Sequence, residues 1–154
     1  MTRTVVTDTF VIERRFAAAP SQVYRAFADP DVKRSWWGDD EIEVDAGHEI
    51  DFRVGGREYA SGSTPDGTVA FVYDSVYRDI VENERIVHTY EMSMNGRRIS
   101  VSVATLEFLA DGSGTRFMIT EQGVYLDGLD TTEAREGGTR GLVDQLARHL
   151  GEDG

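Results

Sequence analysis

The side chains best able to do chemistry in this chain are His48, His88 and Glu121. His48 falls on the apolar side of an alternating stretch, with Ile42, Val44, Ala46, Ile50, Phe52 and Val54 on its parity. Glu41, Glu43, Asp45, Gly47, Glu49, Asp51 and Arg53 occupy the other. His88 shares a parity with Ile86, Tyr90, Met92 and Met94, and Glu121 follows Phe117 and Ile119. On these parities all three point inward. Burial disfavours the imidazolium, so both histidines are expected neutral at pH 7, each offering one donor and one acceptor. Two roles stay open for them: hydrogen-bonded wall of a core or cavity, or general acid–base group. Glu121 is an inward carboxylate, or it belongs to the wet face of its strand, or an arginine pairs with it. A metal site built from the two histidines and Glu121 lacks any ligand-pair spacing, so no metal is expected. The third histidine, His149, falls in a last helical turn, where a cation suits the dipole and the ring is expected to be exposed.

Other chemistries are excluded by what is missing. There is no cysteine, which removes disulfides, thiolate metal sites and thiol nucleophiles. No Gly-x-Ser-x-Gly occurs, and Gly55-Gly56-Arg57 is too short for a phosphate loop and opens no helix. Catalytic residues are therefore left unassigned and no cofactor is expected. The aromatic residues Trp36, Trp37, Tyr59, Phe71, Tyr73, Tyr77, Tyr90 and Tyr125 are rich in rings with a polar end. Such rings suit a ligand pocket; ordinary core and cross-strand pairing is the alternative.

The elements that must position these residues follow from periodicity. Thr9–Phe16 reads as a strand, and Pro20-Ser21 opens a short helix with Val23 and Phe27 on one face. Asp29-Pro30 stops it and starts another, with Asp as N-cap and Pro at the first helical position, ending at Trp36-Trp37-Gly38. The period then becomes two. A strand over 41–54, bulged at Gly47, turns at Gly55-Gly56. Strands follow over 57–63, 68–81, 85–94, 98–109 and 115–124. Pro65-Asp66-Gly67 and Asn95-Gly96 mark turns, the latter the strongest hairpin signal present. A helical period returns after Asp130, with Ala134, Gly138, Leu142, Leu146 and Leu150 in one stripe and Val143 and Ala147 beside it. Asp130 or Thr131 can cap this helix, and Asp130 with Glu133 makes the better capping box. Gly137, Gly138 and Gly141 each cost a helix ~1 kcal/mol relative to Ala, which suggests close approach of something to its first half.

The predicted fold class is α+β: a curved antiparallel sheet of six or seven strands wrapped around a long C-terminal helix, with two short helices after the first strand. That helix alone is long enough to cover the sheet's apolar face, and a gap where the two diverge is a natural ligand site. The 154 residues fit one domain spanning 1–154. The sum of 16 basic and 28 acidic residues gives a net charge of −12, which repels phosphate backbones and makes nucleic acid a poor partner. The acidic run Asp39-Asp40-Glu41 and the tail Glu152-Asp153 read as solvated surface. The longest apolar run, Val69 to Tyr73, is far short of a membrane helix, so no membrane insertion is expected. The N-terminus lacks a signal-like apolar core, and the expected location is the cytoplasm.

The order and spacing of several motifs carry a resemblance. These are Phe16-Ala-Ala-Ala-Pro20 with Val23-Tyr24-x-x-Phe27, Asp29-Pro30 leading to Trp36-Trp37-Gly38, Asp51-Phe-Arg53-Val-Gly55-Gly56, and Asp66-Gly67. Ile80-Val-Glu-Asn-Glu-Arg85-Ile86-Val87, Gly114-Thr115-Arg116 and Gly138-Thr-Arg-Gly-Leu142-Val-Asp-Gln-Leu146 complete the series. Together they span nearly the whole chain. The sequence resembles the helix-grip, START-like (SRPBCC) superfamily, which includes lipid-transfer domains and aromatic polyketide cyclases. Within it the chain is similar to the bacterial branch related to the activator of the heat-shock chaperone ATPase. The resemblance implies a small hydrophobic or aromatic ligand held between sheet and C-terminal helix. The expected ligand-contacting residues are Trp36, Trp37, His48, Tyr59, Phe71, His88, Tyr90, Met92, Glu121, Gly138 and Leu142. The superfamily also hosts enzymes of the cyclase or dehydratase type, which would use His48, His88 or Glu121, and chaperone-activating proteins. Two histidines and one carboxylate are thin equipment for catalysis, which favours a binding protein over an enzyme. A second copy of the chain is a candidate partner.

Overall fold

Alternating polarity carries half of the chain into strands, and one Asn-Gly corner shows how locally this is dictated. Asn95 and Gly96 both take positive φ, 51° and 78°, the backbone of a two-residue turn whose twist matches that of the flanking strands. The computed structural model describes residues 2–38 and 43–152. Its elements run β1 (Val5–Phe16), α1 (Pro20–Ala28), α2 (Pro30–Trp36), β2 (Glu43–Ile50), β3 (Arg57–Ser63), β4 (Ala70–Val81), β5 (Arg85–Met94), β6 (Arg97–Asp111), β7 (Gly114–Leu126) and α3 (Thr132–His149). The seven strands form one curved antiparallel sheet in the order β1-β7-β6-β5-β4-β3-β2. The α+β helix-grip expectation therefore holds. Asp39-Asp40-Glu41, Ile42 and Asp153 lie outside the described residues, as do the side chains of Val44 and Ala46.

Two strands differ from their expected lengths. β1 begins at Val5, four residues early, because it pairs with β7 in unbroken register from Val5↔Leu126 to Phe16↔Thr115. The strand expected to run to Val54 stops at Ile50, and Val54 is 57% exposed. A tight turn takes over there: Asp51 N–H donates to Arg57 O and Gly56 N–H to Arg53 O. A Cβ on Gly56 would come within 2.0 Å of Asp51 O, so glycine is what allows this corner. The bulge expected at Gly47 is present as a register shift between Val44 and His48, with Gly47 at φ 85°.

The two short helices close one half of the sheet. Asp29 caps α2 as expected, its carboxylate accepting from Asp31 and Val32 N–H. Phe27 stacks on Phe117 at 5.6 Å and meets Trp36 edge-on at 5.2 Å, while Tyr24 meets Phe108 at 5.5 Å. The indole N–H of Trp36 donates to Ala26 O at 2.9 Å.

The other cover is α3. Its cap is Thr131, whose hydroxyl accepts from Ala134 N–H. Asp130, expected to form the better box, binds Arg135 instead at 2.6 Å. The buried face also differs from the predicted stripe. Thr139, Val143, Leu146 and Ala147 are buried, whereas Ala134 and Gly138 are exposed. Polar ties to β1 accompany this orientation: Arg14 to Asp144 at 2.5 Å and the Thr132 hydroxyl to Asp8 at 2.9 Å. Among the described residues no helix is long and apolar enough to cross a membrane.

A chain ending at Gly128 lacks α3 and leaves Leu106, Ile119 and their neighbours bare. It should aggregate or show no cooperative thermal transition by circular dichroism; a sharp transition would contradict this packing.

Candidate functional site

Between the sheet and α3 lies a cavity of about 650 Å³. β4 contributes Tyr73 and Tyr77, and β5 contributes Ile86, His88, Tyr90 and Met92. Ala104 and Leu106 come from β6, and Ile119 and Glu121 from β7. Lys33, Trp36, Trp37 and Gly38 close one side, and α3 supplies Arg135, Thr139, Leu142, Val143 and the glycines. Of the residues anticipated from sequence, Trp36, Trp37, His88, Tyr90, Met92, Glu121, Gly138 and Leu142 line this space. Three are not brought to it. Tyr59 sits on the opposite face of β3, under the Arg57 guanidinium at 4.5 Å. Phe71 has the inward parity but lies beyond the cavity, between Gly62 and Met94 in the sheet. His48 lies behind Trp37, ring centroids 4.6 Å apart.

What occupies His48 was not anticipated. Its Nε2 lies 2.6 Å from Glu58 Oε2, Lys33 Nζ lies 2.6 Å from Glu58 Oε1, and the Tyr77 hydroxyl donates to the same Oε1. Glu58 is 0% exposed and Lys33 5%. Burial alone would push the Glu58 carboxyl up. The Lys33 charge and the bonds from His48, Lys33 and Tyr77 outweigh it and hold Glu58 below the usual carboxylate range. The same surroundings, burial first and Glu58 second, push the Tyr77 phenol up, so it stays a donor. Two signals in the sequence pointed here. Glu58 shares its parity with Ala60 and Gly62, and Lys33 is the sole lysine of an arginine-rich chain.

His88 lies on the cavity wall, its Nδ1 3.1 Å from the Ser75 hydroxyl. Burial, then the Lys33 charge, push its pKa down to about 4 against the opposing pull of Glu58, so the ring is neutral at pH 7. Glu121 is inward and 3% exposed. Its partners are the Tyr90 hydroxyl and the Thr139 hydroxyl, the latter at 2.8 Å; among the described residues no arginine bonds it. Burial raises its pKa despite these bonds. Among the described residues no group of three or more His, Cys, Asp or Glu is arranged to hold a metal ion.

The α3 glycines do not serve close packing. A Cβ built at Gly137, Gly138 or Gly141 meets nothing within 4 Å, and all three line the cavity. Missing side chains hold the cavity open where the helix crosses it, while Leu146 and Ala147 are fully buried against the core.

The sequence model of the family described as Activator of Hsp90 ATPase homolog 1-like protein matches residues 17–151. The chain belongs to this family. A protein from Rhizobium leguminosarum is 38% identical to it, with 97% of this chain and 98% of that one covered and a TM-score of 0.91. The Mll3558 protein from Rhizobium loti is 39% identical over 96% and 99% of the two chains, TM-score 0.87. An AHSA1-like protein from Aeromonas hydrophila is 20% identical over 93% and 92%, TM-score 0.67, a likeness of fold. No curated protein matches the chain. In this chain the cavity and the Glu58 cluster meet at Lys33 and Tyr77, which belong to both.

Glu58→Ala should cost ~3–5 kcal/mol in denaturant unfolding, because it strands the Lys33 ammonium in the interior. The Lys33→Met/Glu58→Leu double variant should lose less than that single change. Equal losses would show that the charge pairing is not what Glu58 contributes.

His88 gives a pH dependence of defined sign. Its unfolded ring titrates near 6.5 and the folded ring at about 4, so the unfolded chain binds more protons between those values. Its contribution is complete above pH 6.5 and is lost as pH falls toward 4. Between pH 7 and 4.5 the native chain should lose ~2 kcal/mol more stability than His88→Gln. Carboxylates such as Glu58 and Glu121 titrate in both proteins and cancel in the comparison.

Proposed function

We propose that the chain binds a small hydrophobic or aromatic molecule in the cavity between the sheet and α3. The observation that carries this is the cavity itself, about 650 Å³ walled by Trp36, Trp37, Tyr73, Tyr77, Tyr90 and aliphatic side chains. Such a volume suits a drug-sized ligand, and walls of rings with a few fixed polar groups give it orientation. The family fold is one that commonly binds hydrophobic ligands.

Binding is better supported than turnover. A general base works best with a pKa near the working pH. His88, at about 4, is a weak one at pH 7, and His48 is committed to Glu58 behind Trp37. That leaves Glu121 of the three candidates, and its bonds to Tyr90 and Thr139 equally suit a hydrogen-bonding wall.

Native mass spectrometry of protein purified from its host should find a small hydrophobic molecule bound. Gly138→Leu tests the site from the helix side. The new side chain enters open space on an ordinary helical backbone, so stability should hold or rise by ~1 kcal/mol. Binding of a hydrophobic dye should fall at least tenfold as the cavity fills. Strong destabilisation with undiminished dye binding would show that the helix packs closely there and that the ligand site lies elsewhere.

A further inference from the structure

The cavity has two polar poles joined by a ladder of rings. At one pole Tyr77 donates to Glu58, and at the other Tyr90 donates to Glu121. His88 stands between them, its ring centroid 6.2 Å from Tyr77 and 5.7 Å from Tyr90.

The first pole holds spare donors. The Lys33 ammonium has three N–H bonds, and among the described residues Glu58 Oε1 is the one acceptor it reaches. The cavity-lining rings of Phe27 and Trp37 flank it, centroids 5.9 and 5.7 Å from Nζ, so its remaining protons face rings and the cavity. The second pole holds spare acceptor capacity: each Glu121 oxygen accepts one bond, from Tyr90 on Oε1 and from Thr139 on Oε2, which leaves lone pairs over.

Resting on the cavity-binding reading above, we propose that the ligand is a neutral, flat aromatic molecule with a carbonyl-type acceptor at the end meeting Lys33 and a hydroxyl at the end meeting Glu121. Charge decides neutral over anionic. The first pole already balances Lys33 with Glu58, the lining Arg135 is paired with Asp130, and the lining Arg148 is exposed, so a ligand carboxylate would bring a further negative charge into the interior beside two buried glutamates. A hydroxyl suits the second pole because it can donate to an ionised Glu121 or accept from a protonated one. Flatness follows from one wall, where Trp37, Tyr73, Tyr90 and His88 pack in a contiguous row of rings with centroids 5.0, 5.2 and 5.7 Å apart and offer an extended aromatic surface to the cavity.

A matched probe series tests this by dye displacement or calorimetry: naphthalene, a naphthol, an acetylnaphthalene, the acetylnaphthol with its groups at opposite ends, and the corresponding hydroxynaphthoate. Each group should add about tenfold to the affinity of naphthalene, and the hydroxynaphthoate should bind at least tenfold more weakly than the acetylnaphthol. Glu121→Met should erase the hydroxyl increment alone. Lys33→Met/Glu58→Gln, which avoids leaving a lone buried charge, should erase the acetyl increment alone. Binding of all neutral probes with equal affinity, or tightest binding of the hydroxynaphthoate, would overturn the two-pole inference and leave the cavity reading standing. No binding of any probe by the folded protein would overturn both.

Discussion

A seven-stranded sheet with one apolar face must be covered, and most of the cover must come from one eighteen-residue helix. Such a helix is about 27 Å long. The two short helices help at one half only, where Phe27, Trp36, Phe108 and Phe117 fill the space with rings. In the other half α3 crosses with Gly137, Gly138 and Gly141, which add no side chains to fill the gap. The cavity is thus a direct consequence of one helix covering two regions with different residues.

Leaving that space unfilled would be unfavourable if its wall were held only by apolar contact, because an unfilled wall loses dispersion partners. Polar bonds brace it instead. Glu58 gathers Lys33 from α2, His48 from β2 and Tyr77 from β4, while Glu121 gathers Tyr90 from β5 and Thr139 from α3. Each carboxylate therefore joins elements far apart in the chain. The two differ in charge balance. Glu58 has an ammonium beside it and is held ionised, whereas Glu121 has hydroxyl partners and a raised pKa. Similar side chains acquire different chemistry from what faces them.

The contrast between the two inner histidines has the same origin. The alternation of their strands places both inward. His48 meets a carboxylate and a tryptophan ring; His88 meets a serine hydroxyl, two tyrosine rings and the field of Lys33. One belongs to a structural ion cluster and the other to the cavity wall.

Much of this is legible in the amino-acid sequence. Period-two alternation places His88 and Glu121 on inward faces, the Asn95-Gly96 corner sets a hairpin, and Asp29-Pro30 begins α2, because each depends on neighbours in sequence. Where only neighbours matter, local backbone and side-chain periodicity suffice. Tertiary structure alone decided the rest. The parity of Glu58 is visible in the sequence, but not that Lys33 and His48 arrive at it from other elements. The glycines of α3 are visible too, but whether they admit a close neighbour or leave open space depends on the distance between helix and sheet. Asp130 leaves its capping role because Arg135 offers a charge, and the buried face of α3 keeps Leu146, Val143 and Ala147 but takes in Thr139 in place of Ala134 and Gly138. Periodicity tells which way a side chain points; what stands opposite is set only when distant strands and helices meet.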